Sequence, residues 1–131
     1  MSYKAECVVD REAWNQLVFS VGNSDLVQSY EWGEFRRWAG FKPYRVAVRN
    51  GDQIGALSNI LVARVPLGVL MYAPHGPVLF DSAALGSLVS LIRDLAVETG
   101  AFLFRACAPN SAYPLLREVG FRAVPDKGRN R

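Results

Sequence analysis

The stretch Tyr44-Arg45-Val46-Ala47-Val48-Arg49-Asn50-Gly51-Asp52-Gln53-Ile54 decides how this chain is read. Tyr44, Val46 and Val48 alternate with Arg45, Ala47 and Arg49, the period of two expected of a strand with one apolar face. Asn50-Gly51 follows, and Asn-Gly suits the positive-φ positions of a tight hairpin turn. A long return strand is therefore predicted over 54–65, with shorter strands at 69–72 and 77–80.

Upstream, residues 5–9 read as a first strand, and Asp10 is placed to cap a helix. Trp14, Leu17, Val18 and Val21 recur at the spacing of an amphipathic helix, and Gly22-Asn23-Ser24-Asp25 stops it. A second helix is predicted after Ser29. It has Trp32, Phe35 and Ala39 on its apolar face, Arg36 and Arg37 largely off that face, and Gly40 as its stop. The three tryptophans, Trp14, Trp32 and Trp38, are expected to be packing residues.

Downstream, Asp81 or Ser82 caps the clearest helix, in which Leu85, Leu88, Val89, Ile92, Leu95, Ala96 and Thr99 keep a helical period up to Gly100. Residues 101–107 read as a fully buried strand carrying one charge, Arg105, which would need an ion-pair partner, a cleft or an edge. Ser111 starts a short helix with Leu115, Leu116 and Val119. Gly120 ends it, and 121–124 is a last strand. The order β-α-α-β-β-β-β-α-β-α-β predicts an α/β (α+β) domain, a mixed and mostly antiparallel sheet flanked by helices. One domain is expected over 1–124, with 125–131 a basic tail or the start of a linker.

The chain has 131 residues, half of them hydrophobic and 21% charged, enough for a sizeable core without staples. The N-terminal residues carry no apolar run, and the longest apolar stretches are interrupted at Arg64, Pro66 and Gly68, short of a bilayer span. A cytoplasmic chain is the expectation. The net charge of +3 resides in 117–131, where five basic residues face two acidic ones. Cys7 and Cys107 make no disulfide framework and read as small buried hydrophobes. The single histidine, His75, leaves no Cys/His cluster of metal-ligand spacing.

Gly-x-Ser-x-Gly, phosphate-loop and dinucleotide patterns are all missing, as is the Arg/Gln-x-x-Gly-x-Gly/Ala loop whose amides hold a CoA pyrophosphate at a helix N-terminus. Four segments remain. They are Leu26-Val27-Gln28-Ser29-Tyr30-Glu31-Trp32-Gly33-Glu34-Phe35, Gly40-Phe41-Lys42-Pro43-Tyr44-Arg45-Val46-Ala47-Val48, Tyr72-Ala73-Pro74-His75-Gly76-Pro77-Val78-Leu79 and Leu115-Leu116-Arg117-Glu118-Val119-Gly120-Phe121. In this order and spacing they resemble the Fem (FemABX) family of peptidoglycan-bridge aminoacyltransferases, built from GNAT-like domains. The resemblance runs from about Trp14 to Val124.

The resemblance implies a GNAT-like fold and transfer of an amino acid from aminoacyl-tRNA to an amine on a peptidoglycan precursor, a lipid- or UDP-linked muropeptide. It implies aminoacyl-tRNA as co-substrate and no cofactor. Members have two GNAT-like domains, and this chain matches the first, which holds the muropeptide. A missing second domain would leave an exposed apolar patch and promote self-association. A lipid-linked acceptor would bring the chain to the inner face of the membrane. Substrate contact is expected from Tyr72, His75, Arg36 and Arg37, and no general base is named. His75 stands where the family loop has arginine. On bottom-up grounds each of the four has a plainer reading: Tyr72 as a core-edge phenol, His75 as a solvated loop residue, Arg36 and Arg37 as solvated surface. Two rival functions are a stand-alone GNAT-type enzyme using acyl-CoA and a non-catalytic truncated module.

Overall fold

The hairpin read from residues 44–65 forms the middle of the sheet. The structure, a computed structural model, describes residues 3–22 and 29–106. Leu26, Val27 and Gln28 of the second-helix segment, Cys107, the predicted helix from Ser111, the strand at 121–124 and the basic tail lie outside the described residues. The elements are β1 (Lys4–Cys7), α1 (Arg11–Ser20), α2 (Tyr30–Arg37), β2 (Lys42–Asn50), β3 (Gln53–Val65), β4 (Gly68–Ala73), β5 (Val78–Leu79), a 3-10 turn (Ser82–Ala84), α3 (Leu85–Thr99) and β6 (Ala101–Ala106). This is the predicted order as far as Ala106.

The sheet runs β1-β2-β3-β4-β6, with β5 also paired to β3. All pairs are antiparallel except β4 with β6. That parallel pair needs a crossover, and α3 supplies it. Asn50 pairs with Gln53 across the hairpin, and Gly51 sits at φ 61° in the turn, a conformation that glycine adopts without a Cβ clash. Gly55 falls at a bulge, because Val48 pairs with Ala56 and Arg49 with Ile54. A Cβ on Gly55 would lie 2.5 Å from the Ala84 Cβ and 2.7 Å from the Tyr3 ring. The Gly55 carbonyl also accepts the N–H groups of Phe80 (2.8 Å) and Asp81 (3.2 Å). The bulge is thus the seat on which the start of α3 rests.

Helices cover both faces. On one, Leu85, Leu88, Val89, Ile92 and Leu95 of α3 pack on Val46, Val48, Ala56, Ile60, Met71 and Ala73. On the other, Trp14 and Val18 of α1 pack on Ala47 and Leu57. Double coverage changes the reading of β2. Its alternation suggested a polar side at Arg45, Ala47 and Arg49, yet Arg45 and Ala47 are buried beneath α1 and α2. Other expectations also shift. Cys7 is exposed, and its thiol is pushed up by partial desolvation and by the Glu98 carboxylate. Phe102, Leu103 and Arg105 of β6 are exposed, so that strand is not fully buried.

Leu88 is fully buried under α3, and Val97 on the same helix is exposed. Leu88→Ala is expected to cost about 2–5 kcal/mol through lost burial and the cavity left behind, and Val97→Ala well under 1 kcal/mol. Urea denaturation of both variants checks this; equal midpoints would sink the packing assignment.

Candidate functional site

The family-like segment Ser29–Phe35 is built around one buried cation. Arg45 on β2 is only 4% exposed. Its Nη2 donates to Glu34 Oε2 at 2.9 Å and to the Tyr30 carbonyl at 3.0 Å, and its guanidinium lies 3.7 Å from the Tyr30 ring centroid. Gly33 makes the approach possible, since a Cβ there would fall 2.7 Å from Arg45 Nη2 and 3.2 Å from the Pro43 Cβ. Ser29 caps the helix, its Oγ accepting from Trp32 N at 3.1 Å, while its carbonyl accepts from the buried Asn59 Nδ2 at 3.2 Å. Asn59 pairs with Arg45 across β2 and β3. Tyr30 N donates to Asn15 Oδ1, and Glu31 receives Arg11 Nε at 2.6 Å, joining α2 to α1.

α2 therefore runs antiparallel to β2: Tyr30 over Arg45, Gly33 against Pro43, and Arg36 over the Phe41 ring at 4.7 Å. Its inner face holds Gly33 and Glu34 rather than the predicted aromatic stripe. Phe35 is 66% and Trp38 90% exposed, so these two do not pack as expected. Arg36 stacks on Trp32 and Phe41 with its Nε buried and unpartnered, and Arg37 Nε donates to Glu34 Oε1 at 3.0 Å.

Tyr72 and His75 sit where β3 changes partner. Leu61–Val65 of β3 pair with β4, and Ala56 and Leu57 pair with β5. Between them, Ser58, Asn59 and Ile60 face the connection Pro74-His75-Gly76-Pro77. Pro74, Gly76 and Pro77 of that connection are buried, whereas His75 is exposed at φ 55°, and the Gly76–Pro77 bond is cis. Tyr72 is half-buried and lies in a cross-sheet row Pro43–Leu61–Tyr72–Arg105. The fold thus keeps Tyr72 and His75 together on one strand-and-loop unit. Arg36 and Arg37 stand at the far end of α2. Arg36 lies over Phe41, two positions before Pro43 on β2, and Tyr72 lies two strands across the sheet from Pro43, so the four expected residues are not gathered at one point. Arg105, read from sequence as needing an ion-pair partner, a cleft or an edge, is exposed on β6, the last strand of the described order, and makes no ion pair among the described residues. Its place beside Tyr72 follows from strand register, which sequence periodicity does not reveal.

The start of α3 has a different chemistry. Asp81 caps the 3-10 turn that leads into it: Oδ1 accepts from Ala83 N at 3.0 Å, the Asp81 carbonyl accepts from Ala84 N, and the Ser82 carbonyl accepts from Leu85 N, while α3 itself begins at Leu85 without a side-chain cap. Tyr3 donates its hydroxyl to Asp81 Oδ2 at 2.7 Å, and Ser87 Oγ donates to the Tyr3 carbonyl. The Tyr3 hydroxyl and the Ala83 amide hold Asp81 below the usual carboxylate range, and the same carboxylate raises the Tyr3 phenol. A helix N-terminus with free amides attracts phosphate. Here the amides of Ala83, Ala84 and Leu85 are already engaged, and a negative charge stands among them. Among the described residues no group of three or more His, Cys, Asp or Glu could hold a metal ion, and no helix is long and apolar enough to cross a membrane.

A mixed, mostly antiparallel sheet with this crossover and helices on both faces is a GNAT-like fold. The chain matches the crystal structure of FemX at 22% sequence identity, with a TM-score of 0.81 over 100% of this chain. The chain spans only 35% of the FemX chain. A ribosomal-protein-alanine N-acetyltransferase from Brucella melitensis biovar Abortus 2308 matches at 12% identity and TM-score 0.68, covering 100% of this chain and 99% of that one. Glucosamine-6-phosphate N-acetyltransferase from Arabidopsis thaliana matches at 13% and 0.64, covering 100% and 99%. At such identities the likeness concerns the fold. No family model matches the chain, and no curated protein matches it in sequence.

Removing the Glu34 carboxylate would leave Arg45 buried without its counter-charge. Glu34→Ala is expected to cost about 2–3 kcal/mol, below the value for a fully buried pair because Glu34 is partly exposed. Glu34 is held below its ordinary value first by the Arg45 hydrogen bond, and Glu31 first by that of Arg11. Their contribution is full above the unfolded carboxylate range, near pH 4, and is lost as pH falls through the lowered folded values. Urea midpoints measured from pH 6 down to pH 3 should therefore fall, and Glu34→Gln should flatten that limb. Parallel curves for wild type and variant would refute the assignment.

Proposed function

We propose that the chain is the muropeptide-binding, N-terminal GNAT-like domain of an aminoacyltransferase acting on a peptidoglycan precursor at the inner face of the membrane. A second GNAT-like domain would bring the aminoacyl-tRNA. The observation that carries this reading is the turn leading into α3, where Asp81 and Ser82 engage the amides of Ala83, Ala84 and Leu85 and set a carboxylate beside the helix start that an acyl-CoA enzyme would use for a diphosphate. The closer likeness to FemX than to the two acetyltransferases supports it.

In this reading a stem-peptide amine attacks the carbonyl of the aminoacyl ester. The new C–N bond forms, the ester C–O bond breaks, the tRNA hydroxyl leaves, and the amine gives up a proton. The ester is already activated, so alignment of the two substrates supplies much of the rate. Arg36 and Arg37 offer positive charge at one end of the line, and Tyr72 and His75 offer hydrogen-bonding groups at the other.

The stand-alone acyl-CoA reading has one observation in its favour, the match to two acetyltransferases over 99% of their own length. Thermal shift separates the two. A UDP-linked muropeptide pentapeptide at 100 times its dissociation constant should stabilise the chain by about 2.7 kcal/mol, and acetyl-CoA should leave the melting temperature unchanged. A shift with acetyl-CoA and none with the muropeptide would overturn the proposal.

A further inference from the structure

Among the described residues, strands β4 and β6 present four side chains on the sheet face that α1 and α2 cover over β2 and β3. Leu70 pairs with Leu103 and Tyr72 with Arg105, each pair in register. Residues two apart on a strand share a face, so these make a two-by-two patch. It continues the face of Leu61, which pairs with Tyr72. Leu103 is 50% exposed, Arg105 is exposed, and Leu70 and Tyr72 are half-buried.

Arg105 differs from the other arginines of this face. Arg45 is neutralised by Glu34, and Arg49 by Glu6 at 2.7 Å. Arg105 makes no ion pair or hydrogen bond with a described residue. A guanidinium offers a planar fork of donors, and a phenol on the neighbouring strand adds one more. One positive charge, one hydroxyl donor and two flanking leucines match a single planar monoanion carried next to a small apolar group. A diphosphate would ask for more charge and less apolar surface.

We infer that Arg105 and Tyr72 form a carboxylate-binding pair, with Leu70 and Leu103 as the apolar floor for the adjoining residue of a peptide. That the carboxylate belongs to the stem peptide of a muropeptide rests on the function proposed above; the pair itself rests on register and charge. Arg105 is then a specificity-determining residue for the acceptor, reading a carboxylate of its peptide.

The test is calorimetric titration of the wild type, Arg105→Gln, Arg105→Lys and Tyr72→Phe. The probes are a UDP-linked muropeptide pentapeptide, the free pentapeptide, its carboxamide counterpart and UDP alone. Circular dichroism should show all variants folded, because Arg105 is exposed. For the wild type, conversion of the carboxylate to the amide should weaken binding about 10- to 100-fold, the loss typical of a charge-assisted hydrogen bond. Arg105→Gln should lose the same factor on the carboxylate ligand and be indifferent to amidation. Arg105→Lys should recover little of it, since an ammonium lacks the fork. Tyr72→Phe should lose less.

Equal binding of the carboxylate ligand by wild type and Arg105→Gln would overturn the inference while leaving the muropeptide reading in place. Binding of the free pentapeptide through Arg105, with no further gain from the UDP-sugar portion, would support the pair and count against that reading. Loss of UDP binding in Arg105→Gln, with no response to amidation, would make this a phosphate site and refute the carboxylate assignment. No binding of any peptide probe would refute it as well.

Discussion

The contact on which this domain most depends is the burial of the Arg45 guanidinium between a strand and a helix. Taking an arginine out of water is costly, and only a paired, hydrogen-bonded geometry compensates. Glu34 supplies the charge, the Tyr30 carbonyl and ring supply a second acceptor and a π-face, and Gly33 clears the space. Each partner lies on α2, so the cost of burying one cation fixes the position and rotation of the whole helix. Asn59 extends the arrangement by holding the Ser29 carbonyl, so that the cap of α2 is tied to β3 as well as to β2. An ion pair of this type contributes more to register than to net stability, since a nonpolar replacement of equal volume can be as stable. Here the register it sets is that of α2 against the strand leading into the row Pro43–Leu61–Tyr72.

A second constraint acts at the other end of the molecule. Gly55 omits a side chain where β3 bulges, and Tyr3 and Ala84 close on the gap. The start of α3 is then held by the Gly55 carbonyl, by Asp81 and by the N-terminal strand through Tyr3. Structure and chemistry are joined at this point. The groups that anchor the turn into α3 are the same groups that engage the amides of Ala83, Ala84 and Leu85.

What the sequence disclosed, and what it hid, follows from the range of the interactions involved. The Asn50-Gly51 turn, the α3 stripe from Leu85 to Leu95 and the Gly100 stop are local, and each stands where it was read. α2 misled because it is turned the other way. With eight residues and a glycine and a glutamate on its inner face, its apolar pattern marks the solvent side, and nothing local betrays that Arg45 is the reason. Arg45 was hidden for a related cause: a strand covered on both faces and a strand covered on one can share the same alternation. At the candidate site, Pro74-x-Gly76-Pro77 marks a loop and stands as one, whereas Tyr72 and His75 were singled out by the family resemblance. The adjacency of Arg105 to Tyr72 depends on a parallel pairing across a fifteen-residue helix, and no periodicity records it.

The electrostatics of the sheet tie these parts together. Three arginines project from the face that α1 and α2 partly cover: Arg45 and Arg49 on β2, and Arg105 on β6. The first two are answered by Glu34 and Glu6 within the domain. Because both are neutralised, Arg105 is the arginine of this face that makes no ion pair among the described residues. The same face therefore holds one cation committed to architecture beneath the helices, Arg45, and one exposed on β6, Arg105. The difference lies in the partner each strand meets: α2 brings Glu34 onto β2, and among the described residues no carboxylate is brought onto β6.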